Sequence, residues 1–253
     1  MGVISYLNET NSAGLDNRMC PENKTEHIPQ ERSWQLAIQA GTVNRGNLHI
    51  NLEFLEQTGL MTNTKRVLEL GCGSGGLASF LHEQGISIIA SDIAQTAIDH
   101  ARKLYPGIEF HAHSAETLPY EDQSFDIVMS FDVLEHLPHV DQHLSEVKRV
   151  LKPDGYYLFQ TPNKLSNAVF ETLKCRSFEW KRYHPSLHFY GQLRRRLLRN
   201  GFTFRCIKMN IMNEFAINKI RKIGLPGWLF SWINFKYMPY RLQTNFYVIA
   251  SKT

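Results

Sequence analysis

Glycines suited to holding a nucleotide are concentrated in the run Val67–Ala78, VLELGCGSGGLA. Gly71, Gly73 and Gly75 follow a short apolar stretch, and glycine permits backbone angles and a close ligand approach that a Cβ would block. Helical spacing begins at Gly76, so the unpaired amides of a helix start can face the ligand. The run therefore predicts a strand, a tight turn and a helix that together bind a nucleotide.

The glycines alone leave the identity of that nucleotide open. Gly71, Gly73 and Gly76 also spell GxGxxG, and Asp92 lies about twenty residues further on, where dinucleotide-binding units keep the acid that binds ribose. A NAD-binding oxidoreductase is therefore one interpretation. The residue that separates it from another class of cofactor is Glu69, in the strand before the turn.

Strands and helices alternate through the middle of the chain. Strands are predicted at Val67–Leu70, Ile86–Ser91, Ser124–Ser130 and Tyr156–Phe159, and helices at Leu77–Gln84, Ala94–Leu104 and Val140–Leu151. Such alternation implies right-handed crossovers and a parallel sheet that binds ligands at the carboxyl ends of its strands. The glycine turn, Asp92, Ala115 and Phe131 all fall at those ends.

The flanking segments follow other patterns. Residues 1–30 are polar and are predicted to be disordered, and residues 31–64 are predicted to form leading helices that either cap the cofactor site or pack on the sheet edge. Two insertions, 161–187 and 209–244, are expected to shape the acceptor pocket. A helix at Phe189–Asn200 and strands at Phe202–Lys208 and Asn245–Ser251 complete the predicted domain, 31–253.

With Glu69 the turn reads ExGxGxG, and here the chain resembles the class I methyltransferases that depend on S-adenosylmethionine (SAM). The resemblance covers roughly residues 65 to 160 and is closest to the ubiquinone-biosynthesis O-methyltransferase group, although Thr161-Pro162-Asn163 departs from that group. It implies a Rossmann-like α/β three-layer sandwich with a seven-stranded, mostly parallel sheet and an antiparallel last strand. The segments that are similar to family motifs, in order, are His113–Glu116, Ser124–Ser130, Phe131–Leu137 and Val150–Gly155.

The resemblance also implies which residues hold SAM as co-substrate. Asp92 would accept both ribose hydroxyls, since a carboxylate can accept two hydrogen bonds at once, and Ile93 would pack on the adenine. The loop His113–Glu116 would border the adenine. The complete expected set is Glu69, Gly71, Cys72, Gly73, Gly75, Asp92, Ile93, Ser114, Ala115, Glu116, Ser130 and Phe131.

Methyl transfer to a hydroxyl needs a base, and His136 is the candidate because it follows the predicted strand Ser124–Ser130 and because histidine titrates near neutrality. Alternatively, His136 orders its loop or stacks near the cofactor. His184 and His188 rank below it. Histidines also invite a metal interpretation, through His111 with His113 or His136 with His139 and His143, but the spacing matches no recognisable metal site and none is expected.

Composition predicts one globular α/β domain in 253 residues. The sequence shows no apolar run long enough to span a bilayer and no signal peptide, so a cytoplasmic protein is expected. The four cysteines, Cys20, Cys72, Cys175 and Cys206, form no CxxC pair, which argues against a zinc site or a disulfide framework and favours reduced thiols.

Charge is divided between the two parts of the chain. Residues 1–160 carry 11 basic and 21 acidic side chains, whereas residues 161–253 carry 17 and 3. Arg194, Arg195, Arg196 and Arg199 are most simply a solvated helix face. Basic residues alternate with aromatic ones over 217–241, which suits an anionic membrane surface, single-stranded RNA, or a lid over a small substrate.

The sequence as a whole therefore predicts a SAM-dependent methyltransferase (EC 2.1.1 class) that acts on a hydroxyl or similar nucleophile of a small or lipid-like molecule. Peripheral contact with an anionic membrane is part of this interpretation, and nucleic acid is a less favoured partner. The alternatives are an RNA or protein methyltransferase that uses the basic second half, and a NAD-binding oxidoreductase.

Overall fold

The computed structural model describes residues 30–41, 47–175, 184–210, 217 and 234–253. The segment predicted to be disordered, 1–30, lies almost wholly outside these residues. The same holds for most of the predicted insertion 209–244, including the greater part of its aromatic and basic segment.

Seven strands form a single sheet in the order β3-β2-β1-β4-β5-β7-β6. Strands β1 to β5 are parallel to one another, and β7 runs antiparallel to both of its neighbours, β5 and β6. This arrangement confirms the predicted mostly parallel sheet with an antiparallel last strand. The strands are β1 (Arg66–Leu70), β2 (Ser87–Asp92), β3 (Glu109–Ala112), β4 (Phe125–Phe131), β5 (Leu151–Pro162), β6 (Phe202–Ile207) and β7 (Asn245–Lys252).

Helices cover both faces of the sheet. The helices are α1 (Gln30–Gln39), α2 (Leu48–Thr58), α3 (Gly76–Glu83), α4 (Gln95–Leu104), α5 (Val140–Val150), α6 (Lys164–Cys175) and α7 (Tyr190–Arg199). One buried cluster joins α2, α3 and α4 to the sheet, and a second joins α5 and α7 to its other face. Neighbouring strand residues such as Val67 and Leu68 fall in different clusters, as expected of strands buried on both faces. The result is the predicted three-layer sandwich.

The predicted stripe Val140, Leu144, Val147 and Leu151 is core packing, and each of its members is at most 1% exposed. Helix α5 ends at Val150, however, and Leu151 already belongs to β5. Strand β5 is longer than predicted because it pairs with β4 on one side and with β7, from Tyr156 to Pro162, on the other.

Asn163, where the chain departs from the resembling group, joins the two inserted regions. Its buried side-chain amide donates to the carbonyl oxygens of Gln243 (2.7 Å) and Arg241 (3.0 Å), and its backbone N–H donates to Thr244 O (2.8 Å). The N–H of the next residue, Lys164, donates to His188 O (2.9 Å). The start of α6 and the loop before α7 are thereby fixed at the carboxyl edge of the sheet.

Candidate active site

The glycine turn has the backbone geometry that its sequence predicts. Gly71, Gly73 and Gly75 have φ values of 76°, 54° and 81°, in the left-handed region that disfavours residues with a Cβ. At Gly73 an added Cβ would lie 2.4 Å from Cζ2 of Trp34. The turn is held against β2 because the Gly71 and Cys72 amides both donate to Ser91 O, at 2.7 and 2.9 Å.

Helix α1 covers this turn. Trp34 is buried against Gly73 and packs with Ala94 and Ala97 at the start of α4. The Glu31 carboxylate accepts hydrogen bonds from the backbone N–H and the hydroxyl of Thr96. Of the two interpretations left open for the leading helices, the position of α1 favours a cap over the nucleotide turn.

Asp92 links the turn to α4. One carboxylate oxygen accepts from the Gly73 N–H and the other from the Ala94 N–H, both at 2.9 Å. A carboxylate oxygen can accept more than one hydrogen bond, so these contacts are compatible with the expected role of Asp92 toward the ribose hydroxyls. The next residue, Ile93, is 61% exposed at the carboxyl end of β2, where an apolar side chain is open to a ring system.

Glu69 is a buried carboxyl group with one unused oxygen. Burial, and then the charge of Asp92, raise its pKa from 4.5 to about 8, against the opposing effect of a hydrogen bond with the Ala78 backbone. Its Oε2 has no hydrogen-bond partner in the part of the chain that the structure describes. A buried carboxyl group with a free oxygen fits the amino group of SAM, because pairing with a cation favours the ionised form.

Cys72 is also buried in the turn. Its Sγ lies 3.7 Å from Gly73 O, and burial, followed by the charges of Glu69 and Asp92, raises the pKa of the thiol well above its usual value. Since the thiolate is the reactive form, Cys72 serves here as a small packing residue.

The loop after β3 is fixed by α5. The Ser114 hydroxyl accepts from the Glu116 N–H (3.1 Å), and the Ala115 carbonyl is hydrogen-bonded to Nδ1 of His143 (2.8 Å). The Glu116 carboxylate accepts from the His139 N–H at the start of α5. The backbone of this loop therefore remains the part expected to border the adenine, since the Glu116 side chain is turned toward α5.

At the end of β4 the two predicted residues differ in position. The Ser130 hydroxyl is fully buried and lies 2.7 Å from Oη of Tyr157, which is 2.8 Å from Nε2 of His143. Any contact of Ser130 with SAM would therefore come from its backbone. Phe131 is half-buried and packs edge to face against Phe54, with ring centroids 6.1 Å apart.

The sequence interpretation missed Asp132. This residue has φ of 54°, its N–H donates to Oε1 of Gln160 (2.9 Å), and its carboxylate accepts from Nδ2 of Asn47 (3.0 Å). Nε2 of Gln160 and Oδ1 of Asn51 are buried without a partner among the residues described. The available signal was a polar residue inside an apolar pattern: Gln160 ends the run Tyr156–Phe159, and Asn51 lies among the apolar residues of α2.

His136 lies in a short 3-10 turn, Leu134–His136, just after β4. Its Nε2 is 3.9 Å from the carboxylate of Glu135, and its ring centroid is 4.9 Å from that of His184. Glu135 is 1% exposed and accepts from the Thr161 hydroxyl (3.1 Å), whereas the His136 side chain is 30% exposed. A half-exposed imidazole beside a buried carboxylate can accept a proton and be stabilised as the cation.

The histidines considered for a metal site have other partners. His143 is a core residue, and His111 and His113, with ring centroids 6.4 Å apart, contact Glu109 and Tyr120 respectively. Across the described ranges, no group of three or more His, Cys, Asp or Glu side chains is arranged to hold a metal ion.

Comparison with known proteins gives the decisive observation. Residues 68–159, which contain the glycine turn, Asp92 and His136, match the family model described as a methyltransferase domain. This stretch is therefore similar to the class I SAM-dependent methyltransferases. The match favours SAM over the dinucleotide that the glycines alone would also fit.

Two curated relatives resemble this methyltransferase domain at 38–39% identity. They are the phthiotriol/phenolphthiotriol dimycocerosates methyltransferase 1 of Mycobacterium ulcerans (38% over 127 residues, 49% of this chain and 46% of the relative) and the corresponding enzyme of Mycobacterium tuberculosis (39% over 113 residues, 43% and 42%). The chain thus spans less than half the length of the curated relatives that it matches.

Among solved structures, the fold resembles a chain from the complex between the Trm112 methyltransferase activator of Haloferax volcanii and a methyltransferase. The TM-score is 0.67 at 17% identity, covering 89% of this chain and 97% of the other. Helices long and apolar enough to cross a membrane are absent from the residues that the structure describes.

Proposed function

We propose that this chain transfers the methyl group of SAM to a hydroxyl or similar nucleophile of a small or lipid-like molecule. The observation that carries the proposal is His136, half-exposed beside the buried Glu135, at the carboxyl edge of a SAM-dependent methyltransferase domain. When bound, SAM supplies an electrophilic methyl group on a sulfonium. The chain must then align the acceptor and, for a hydroxyl, remove its proton.

Each residue has a stated task in this proposal. Asp92 accepts the ribose hydroxyls, Glu69 pairs with the amino group, and the exposed Ile93 packs on the adenine. His136 accepts the acceptor's proton, while Glu135 stabilises the imidazolium that results. Thr161, which donates to Glu135, keeps the carboxylate oriented.

A lipid-like acceptor is supported by the curated relatives, which are named as methyltransferases of phthiotriol dimycocerosates. The closer resemblance to the ubiquinone-biosynthesis group rests on motifs alone and remains a prediction. The basic second half supports an acceptor or surface that carries negative charge.

The direct test is turnover of labelled SAM against a metabolite and lipid extract, with mass spectrometry of the product. His136→Asn is expected to lower kcat by about 10²- to 10⁴-fold, the usual range for loss of a general base, without changing SAM affinity. His139→Asn, at an exposed position three residues later, is the matched control and should keep its activity. Equal rates for the two variants would remove His136 as the base.

The cofactor assignment has its own test. Asp92→Ala removes the proposed ribose acceptor, and loss of two hydrogen bonds to a charged group is expected to weaken SAM binding by about 100-fold or more. Unchanged SAM affinity, measured by calorimetry, would contradict the assignment.

Peripheral contact with an anionic membrane, in a cytoplasmic enzyme, is a further part of the proposal. Its basis is the aromatic and basic composition of residues 217–241; at the described end of that segment Tyr237 is 85% exposed. Wild type should sediment with anionic vesicles, and the double variant Trp228→Ala, Trp232→Ala should sediment less, because interfacial aromatics are lost. Failure of both proteins to sediment would overturn this part of the proposal.

A further inference from the structure

A cleft lies outside the cofactor site, between the first turn of α6, the loop 185–188 and α7. It has a volume of about 310 Å³. We call it the basic cleft, because four cationic side chains line it, those of Lys164, Arg195, Arg196 and Arg199. The neutral side chains of His188 and Gln192 complete the polar lining.

Positive charge in the basic cleft exceeds the negative charge beside it. Asp141 accepts from Arg199 Nη2 at 2.8 Å and lies 3.4 Å from Arg196 Nε. Lys164 lies over the Phe189 ring, 5.4 Å from its centroid, which supplies no negative charge. Among the described residues, Asp141 is the one carboxylate that pairs with the cationic lining, and it pairs with Arg196 and Arg199 but not with Lys164 or Arg195.

Arg195 is an exposed arginine of the basic cleft. It lies on α7, and no ion pair of its side chain occurs within the described ranges. Its neighbour Arg194 is equally exposed but lines a different cleft, with Tyr190 and Tyr240. Helix α7 therefore points adjacent arginines into two separate clefts.

His188 gives the independent evidence of a ligand. It is 6% exposed, it lines the basic cleft, and its Nδ1 is buried with no hydrogen-bond partner in the described chain. Burial, followed by the nearby Arg196, lowers its pKa to about 4, against the opposing effect of a hydrogen bond with the Ser186 backbone. The ring is therefore neutral near pH 7, and one of its two nitrogens carries a proton. A buried polar nitrogen is costly to leave unpaired, which indicates that a polar group belongs beside it.

The backbone around His188 is fixed. Its carbonyl accepts from the Lys164 N–H, and the Ser186 N–H donates to Glu135 O (3.0 Å). The lining of the basic cleft is thus preorganised by hydrogen bonds to α6 and to the turn that carries His136, which reduces the entropy lost on binding.

We propose that the basic cleft binds a phosphate group, held by Arg195 and Lys164 and hydrogen-bonded by His188. Guanidinium and ammonium groups are the side chains that bind phosphate oxygens most strongly. The phosphate belongs either to a lipid headgroup or to a soluble molecule. The proposal does not depend on methyl transfer, because none of the residues assigned to SAM lines this cleft.

The test uses inorganic phosphate as the probe, titrated by calorimetry into the full chain. Wild type should bind saturably, and Arg195→Glu should bind about tenfold more weakly, because a charge-assisted hydrogen bond is lost. Arg194→Glu, with the same change of charge on the same helix, should bind as wild type does. In wild type labelled with ¹⁵N-histidine, the imidazole signals of His188 should shift with the same saturation curve.

A second arm identifies the source of the phosphate. Vesicles of phosphatidylcholine with and without phosphatidic acid are sedimented with the three proteins. If Arg195→Glu no longer sediments with the phosphatidic acid vesicles and Arg194→Glu still does, the proposal is supported and the phosphate belongs to a lipid headgroup. If the chain binds inorganic phosphate saturably but does not sediment with the vesicles, the proposal is supported and the ligand is soluble. Equal weakening by the two substitutions, or no binding in either arm, would overturn the proposal. SAM affinity should be unchanged in both variants, which separates this outcome from failure of the proposed enzyme activity.

Discussion

Replacing Glu69 by Gln isolates the cost of holding a carboxyl group in the buried strand before the glycine turn. In the folded chain the pKa of Glu69 is raised from 4.5 to about 8. The unfolded chain releases this proton near pH 4.5, whereas the folded chain retains it until about pH 8. Stability from this group is therefore fully present below pH 4.5 and is lost as the pH rises toward 8.

The size of the effect follows from the shift. At 1.36 kcal/mol per pKa unit, wild type should lose about 4 kcal/mol between pH 5 and pH 9 through this group alone. One kcal/mol moves the Tm of a chain of this size by about 2–4 °C, so the difference in Tm between Glu69→Gln and wild type should grow by roughly 10 °C across that range.

Thermal unfolding by circular dichroism at several pH values measures this difference. Glu56→Gln is the matched control, since Glu56 is exposed on α2 and its loss should leave the pH profile of wild type unchanged. Parallel profiles for Glu69→Gln and wild type would refute the burial argument.

The raised pKa of Glu69 also predicts that SAM binding releases a proton. If the amino group of SAM pairs with ionised Glu69, binding at pH 7 must release nearly one proton, because a group with a pKa of about 8 is about nine-tenths protonated at that pH. Calorimetry in buffers of different ionisation enthalpy counts the protons released. A count near zero would show that the amino group of SAM does not pair with ionised Glu69.

Two further substitutions test the packing of the site. Gly73→Ala should lower Tm by several degrees and weaken SAM binding, because φ of Gly73 is 54° and the new Cβ would lie 2.4 Å from Trp34. Gly76→Ala is the control, since a Cβ added there would come within 4 Å of no atom of the described residues beyond its chain neighbours and its own helix. Both variants are compared with wild type in thermal-shift and SAM-binding assays. Tyr157→Phe should lower the free energy of unfolding in urea by about 1–3 kcal/mol, because the buried Ser130 and His143 both lose the Tyr157 hydroxyl as a hydrogen-bond partner. Tyr156→Phe, at a half-buried position, is the control, and an equal loss in the two variants would contradict the prediction.

Local sequence was enough to predict the nucleotide turn. Glu69 and the glycines are consecutive in the chain, and their backbone angles depend on residue type and immediate neighbours. The alternation of strands and helices predicted the parallel sheet, because a parallel pair requires a crossover and a crossover accommodates a helix. Asp92 followed from its place at the end of the second strand.

Contacts between distant segments were not predictable from the sequence. Asp132 is hydrogen-bonded to Asn47, 85 residues away in the sequence, and to Gln160, 28 residues away. The local sequence pattern around these residues does not indicate that they are in contact. Ser130 was expected at the cofactor, but side chains alternate between the faces of a strand, and the packing of α5 determines that its hydroxyl meets Tyr157 and His143.

By itself, the sequence determined the class of domain and the cofactor turn, because both are encoded by residue types at short spacing. Only the tertiary structure decided that Trp34 covers the turn and that Lys164, His188 and Arg195 share a cleft. It also decided that one Glu69 oxygen has no hydrogen-bond partner among the residues that the structure describes. Each of these depends on burial and on the approach of segments far apart in the chain, which helix and sheet packing fixes and residue spacing does not.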